Sequence, residues 1–326
     1  MANAILMAID ISYPLRVKPM SRSANDQHLQ ECDSNPGGGV LKILHSKTKP
    51  LTAQLQVQRV VPQAELRMIG PWCFLDHFGP LTTPAYQDFN IPPHPHIGLQ
   101  TITWLYSGEL MHYDSLGYQQ ALRPGELNLM TSGRGISHAE IAQDNPTQPL
   151  HGLQLWSALP PADELTYPRF DHYRDLPQFA LGECTATLIV GDYYDRLLKQ
   201  RWQSPALSFH PSLALSLTTP RTTVLSLSLN PSFEHAIYIV SGSLYLVDSE
   251  LTQPITAHQL LDLGSERDHL EIELAADTRV LVLGGEPFGQ HLFMRWNFVS
   301  TELARVEQAQ QDWDNGHPRF GDVNTD

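Results

Sequence analysis

Residues 102–115 align on residues 236–249 without a gap. Ser107-Gly108 matches Ser241-Gly242, Leu110 matches Leu244, and Asp114-Ser115 matches Asp248-Ser249, all at one offset of 134. Each segment reads as a strand, a tight Ser-Gly turn and a second strand. A chain that carries one hairpin twice needs room for two related β-units, and its 326 residues suffice for two domains of ordinary size.

The sequence around the two hairpins keeps the same cadence. Short runs rich in Val, Ile, Leu, Thr and aromatics fall at 55–61, 99–106, 126–130, 150–159 and 185–190, then at 206–218, 222–229, 236–248, 269–274 and 279–284. Gly, Pro, Asn or Asp separates them, as in a β-sandwich or barrel. Only 300–313 has good helix chemistry, with Ser300 or Thr301 as its cap. Residues 1–45 read as a flexible extension, because the polar stretch 21–40 ends in Asn35-Pro36-Gly37-Gly38-Gly39. The expected organisation is an extension over 1–45, a first domain over 46–185 and a second over 186–326 that ends in a helix and tail.

The balance of charge narrows the function. Lys and Arg number 21 against 35 Asp and Glu, a net charge of −14 that lacks the basic footprint of a nucleic-acid binder. The three cysteines are far apart and form no Cys-x-x-Cys pair, which fits a reducing compartment. No signal-peptide pattern and no membrane-length apolar run is visible, so the expectation is a soluble, cytoplasmic protein.

Fifteen histidines need accommodation. The sharpest cluster is Pro92-Pro93-His94-Pro95-His96. Residues i and i+2 of an extended segment face the same side, and Pro95 excludes helix between them, so two imidazoles stand side by side at the start of a strand. A second i, i+2 pair, His138 and Glu140, follows beyond a Pro124-Gly125 turn. Two such pairs facing one another in a barrel supply three nitrogens and a carboxylate, a set that suits a divalent transition metal. With open coordination positions the set suits Fe(II), and Zn, Mn, Ni or Cu would accept the same ligands, so the residue types alone do not choose the metal. His77 reads as a packed residue, His112 as peripheral, and His151 as one that no spacing demands near the metal. In the second half, the offset carries His94 and His96 onto Ser228 and Asn230. His269-Leu270-Glu271 alone makes at most half a site, so that copy is expected to hold no metal.

These blocks resemble the pirin family of bicupins. The resemblance runs through residues 70–80, Pro92 to Gly98, 113–117, 123–126 and 130–140, and returns at Gly284-Gly285-Glu286-Pro287 and Arg319-Phe320-Gly321. It implies an all-β chain of two cupin (jelly-roll, double-stranded β-helix) barrels facing each other, with a short C-terminal helix. It also implies iron in the first barrel, held by His94, His96, His138 and Glu140. Some members resemble quercetin 2,3-dioxygenases, which cleave a flavonol with O2 and release carbon monoxide. Others resemble non-catalytic iron-binding regulatory modules acting through a protein partner.

Two departures from the family pattern His-Pro-His-Arg-Gly-Phe-Glu matter: Ile97 in place of Arg and Gln100 in place of Glu. Gln100 cannot take a proton as a carboxylate would, so flavonol deprotonation is expected to fall to Glu140. A small aromatic substrate or a protein partner fits this reading; nucleic acid and membrane do not. Phe74, Trp104 and Trp156 are candidates to line the pocket, with a core role the simpler expectation for each.

Overall fold

The computed structural model describes residues 29–33, 41–52, 55–82, 85–86, 88–142, 147–247, 249 and 252–325. It is built of two β-barrels of matching design. In the first, a seven-stranded sheet runs in the order Arg169–Tyr173, Leu127–Thr131, Leu99–Ser107, Leu150–Ala158, Trp72–Leu81, Gln56–Val61 and Lys47–Pro50. A four-stranded sheet, Asn90–His96, Ile136–Ala142, Leu110–Asp114 and Gln119–Leu122, faces it. The second barrel repeats the small sheet as Thr223–Ser228, His269–Leu274, Ser243–Leu246 and Ile255–Thr256. Its large sheet centres on Ser212–Thr219, Thr278–Gly285, Glu234–Ser241 and Gln259–Gly264. The two Ser-Gly turns therefore join equivalent strands in the two barrels, as the internal repeat requires.

Alternation along the strands explains how both faces of the large sheets become buried. On Leu99–Ser107, Ile102 and Trp104 join a core that also holds Leu153, Leu155, Tyr238, Leu281 and Leu283, so these residues pack barrel against barrel. Leu105 enters a separate cluster with Phe78, Phe89 and Ile91 inside the first barrel. Polar ties cross the same interface. The Trp72 indole donates to the Gly284 carbonyl at 2.9 Å, and the Gly70 amide donates to Glu234 Oε2 at 2.6 Å.

The described part of the expected N-terminal extension is strand. Gln30–Cys32 pairs with Leu292–Arg295, and Lys42–His45 pairs with Gln259–Gly264 at the edge of the second barrel's large sheet. Residues 1–28 and 34–40 lie outside the described residues. The expected division at 185/186 falls inside the strand Cys184–Asp195, which pairs with Ser212–Thr219 of the second barrel. The helix spans Leu303–Asp314, with Glu302 as its N-cap and no side-chain cap bond. Ser300 is engaged elsewhere, donating to the buried Glu164 carboxylate at 2.6 Å. Val306 and Ala309 pack that helix on Ile97, Phe298 and Phe320. Ile97 thus has an apolar partner surface.

Candidate metal centre

The small sheet of the first barrel presents the histidines. His94 and His96 end the strand Asn90–His96 rather than beginning one, and His138 pairs directly with His94 on the neighbouring strand. The ladder slips between His138 and Glu140, which pairs with Ile91. Such a bulge re-aims the side chain that follows it. All three histidines are buried, and one ligand atom from each lies within 4.8 Å of the others.

Hydrogen bonds fix what these rings offer. His94 Nδ1 donates to the Pro92 carbonyl at 2.9 Å, which leaves the Nε2 lone pair for the cluster. The Nε2 atoms of His96 and His138 approach to 3.1 Å. Burial pushes His94 down to about 4, with the Pro92 carbonyl opposing and His112 adding a little. Burial and then the neighbouring histidines hold His96 and His138 well below the ordinary imidazole range. All three are therefore neutral near pH 7, the form that binds a cation. Three converging neutral nitrogens in a buried site fit one divalent transition metal.

Glu140 faces the same cleft but lies outside that trio of nitrogens. Its Oε1 is 3.1 Å from the Thr103 hydroxyl, which is also 2.9 Å from Gln154 Oε1. One hydroxyl proton serves one acceptor at a time, so a proton on Glu140 would complete the set. Burial raises the Glu140 carboxyl to about 7, and the Thr103 contact only partly opposes this.

The cleft in front of these residues encloses about 820 Å³, counting its open mouth. Phe74 and Trp156 form one wall, stacked at 3.9 Å with 12° between their planes. His96 meets the Trp156 ring edge-on at 5.3 Å, and the Arg59 guanidinium lies 4.5 Å from the Phe74 ring centre. Trp296 and Asn297, distant in sequence, close part of the rim. Of the three aromatic candidates, Phe74 and Trp156 line the cleft, whereas Trp104 packs between the barrels. Gln100 turns the same way as Trp104. Its amide donates to Thr131 Oγ1 at 3.0 Å and to the Leu207 carbonyl at 3.2 Å.

His112 is not peripheral. It is buried, stacks on Phe170 at 4.2 Å and meets His138 Nδ1 at 3.4 Å. The spacing of Leu110, His112 and Asp114, buried at every second position, was the signal that could have placed it. His77 is packed, as expected, and bonds Tyr238 through Nδ1 and His151 through Nε2. His151 is thereby committed to the barrel interface rather than to the metal centre.

The small sheet of the second barrel turns apolar side chains inward. Leu227 pairs with Leu270 there as His94 pairs with His138 in the first barrel. Leu227, Leu229 and Ile272 fill the interior, while His269 is exposed beside Asp268. The inward positions fall one residue before Ser228 and Asn230, and all of them are apolar.

Comparison with known proteins agrees with this architecture. The family model described as Pirin matches residues 54–157, and that of the Pirin C-terminal cupin domain matches 214–321. A Pseudomonas aeruginosa protein provisionally named a quercetin 2,3-dioxygenase is 38% identical over 282 residues, 86% of each chain. A pirin-like protein of Caulobacter vibrioides is 34% identical over 288 residues, covering 86% of this chain and 95% of its own. The crystal structure of a quercetin 2,3-dioxygenase from Acinetobacter baumannii superposes with a TM-score of 0.80 at 37% identity, over 87% of this chain and 91% of that one. Matched across both barrels, with its histidine trio inside the first, the chain belongs to the pirin family.

Proposed function

We propose that this protein is a metal-dependent dioxygenase of the quercetin 2,3-dioxygenase type, with Fe(II) held by His94, His96, His138 and Glu140 and a flavonol in the cleft above them. The observation that carries this reading is the joining of two features in one cavity. Three buried neutral imidazoles converge beside a buried carboxyl, and the wall next to them is the planar Phe74–Trp156 stack. The names of the relatives from Pseudomonas aeruginosa and Acinetobacter baumannii support it.

When bound, the metal supplies Lewis-acid and one-electron chemistry that side chains lack. The protein's own share is positioning and proton handling. Phe74 and Trp156 give a flat aromatic surface against which a planar ring system is held. Glu140, when released from the metal, is the carboxylate at hand to take a hydroxyl proton, with the Thr103 hydroxyl 3.1 Å from its Oε1. Gln100, bonded to Thr131 and Leu207, has no part in that transfer.

The test is anaerobic loading of metal-depleted protein with Fe(II), followed by quercetin and air, with flavonol absorbance and carbon monoxide measured together. Turnover that is lost in His96→Ala and strongly slowed in Glu140→Gln is expected. A fully loaded protein that leaves quercetin untouched would overturn the dioxygenase reading in favour of a binding module.

A further inference from the structure

Behind His138, away from the cleft, runs a chain of polar contacts that neither metal binding nor proton transfer uses directly. His138 Nδ1 faces His112 Nδ1 at 3.4 Å, and His112 Nε2 faces Asp114 Oδ2 at 3.0 Å. The other carboxylate oxygen, Asp114 Oδ1, accepts from the backbone amides of Leu116 at 2.9 Å and Tyr118 at 3.1 Å. All three side chains are buried, at 1%, 4% and 2% exposure.

We infer that Asp114 and His112 are positioning residues that set the tautomer of His138 and so determine that its Nε2 lone pair, not an N–H, points at the metal centre. A carboxylate only accepts, so a His112 ring with one proton carries it on Nε2 to face Asp114. A neutral imidazole protonated on Nε2 has its lone pair on Nδ1, and that atom can only accept from His138 Nδ1–H. His138 is then left with a bare Nε2, turned towards His94 and His96. An outer carboxylate that orients a ligating imidazole is a general device of metal sites. Here it acts through one further imidazole.

The inference rests on the metal-binding reading for its purpose, but its core is testable in the metal-free protein. The backbone amides of Leu116 and Tyr118 would hold the carbonyl oxygen of an asparagine at the Oδ1 position, placing its NH2 against His112 Nε2. Asp114→Asn, nearly identical in shape, should therefore reverse every proton in the chain and leave His138 with an N–H aimed at the cluster. Imidazole 15N shifts of the metal-free protein should show Nδ1–H at His138 in the parent and Nε2–H in Asp114→Asn. Competition with a chromophoric chelator for Co(II) should show a loss of affinity of about 10- to 100-fold in Asp114→Asn and in His112→Leu. His112→Gln, which offers an oxygen to His138 and an NH2 to Asp114, should restore affinity to within about threefold of the parent.

If His138 keeps the same tautomer in Asp114→Asn, the inference is wrong, whatever metal the protein binds. Unchanged Co(II) affinity in a folded Asp114→Asn variant would also overturn it. A parent protein that shows the expected tautomers but binds no Co(II) would instead remove the metal reading and leave the proton chain standing.

Discussion

Arg59 donates from Nε and Nη2 to the two carboxylate oxygens of Asp76, each at 2.8 Å. The carboxylate is almost wholly buried, and the guanidinium lies over Phe74 on the wall of the cleft. The wall that would hold an aromatic substrate is thus clamped from behind by an ion pair. Removing one member of such a pair leaves its partner without compensation. Asp76→Ala should lower the unfolding free energy by about 3 kcal/mol in urea titrations, whereas an exposed pair would lose less than about 1 kcal/mol.

Metal occupancy should stabilise the fold through mass action. At a free metal concentration of about 100 times Kd, the gain is about 2.7 kcal/mol, visible as a rise in melting temperature on adding Fe(II) or Co(II) without oxygen. His96→Ala and His138→Ala should show no such rise. An equal rise in these variants would locate the metal elsewhere.

The metal-free protein should be acid-labile. Burial lowers His77 to about 3 and His94, His151 and His235 to about 4, and it holds His96 and His138 lower than the ordinary range as well. As pH falls from 6.5 towards 4, the unfolded chain takes up protons that these folded rings refuse. Each ring then costs up to about 1.4 kcal/mol of stability per pH unit. Glu140 acts in the opposite sense between about 7 and 4.5, because its folded carboxyl binds the proton first, and Asp262, also raised by burial, acts the same way, but these are two groups against six. The urea midpoint should fall between about pH 7.5 and about pH 5; a midpoint that rises would contradict these environments.

Gln100→Glu should leave flavonol turnover and metal affinity close to the parent values, because the side chain points away from the cleft. It should cost about 1–3 kcal/mol of stability, since a carboxylate cannot donate to Thr131 Oγ1 and would oppose the Leu207 carbonyl. A large gain in turnover with unchanged stability would place residue 100 in the reaction after all.

What could be read from the sequence was local. The convergence of His94, His96 and His138 is legible because i, i+2 spacing in an extended segment survives in any β-fold, and the same spacing draws Glu140 to the cleft. The duplicated hairpin was found because its turn residues are the same in both copies. The spacing of Leu110, His112 and Asp114 puts the three on one face, but a face with one apolar and two polar residues does not by itself declare which side turns inward. The direction of Gln100 is not legible, because both faces of Leu99–Ser107 are buried and alternation gives no polar side from which to orient it. Trp296 and Asn297 reach the rim, and Lys42–His45 reaches the second barrel, only through pairings with distant parts of the chain.

Those pairings have a consequence for synthesis. His45, in the strand Lys42–His45, contacts Gln259, 214 residues further along the chain. At about 5–20 residues per second, the early strand waits on the order of ten to forty seconds on the ribosome before its neighbour is made. Late in that interval, once Arg169–Tyr173 has been made, the first barrel can close around its histidines while the segment that precedes it still has an unpaired edge. A nascent chain arrested before Gln259 would therefore expose this strand to other chains, and aggregation at that stage would be a failure of timing rather than of the finished fold.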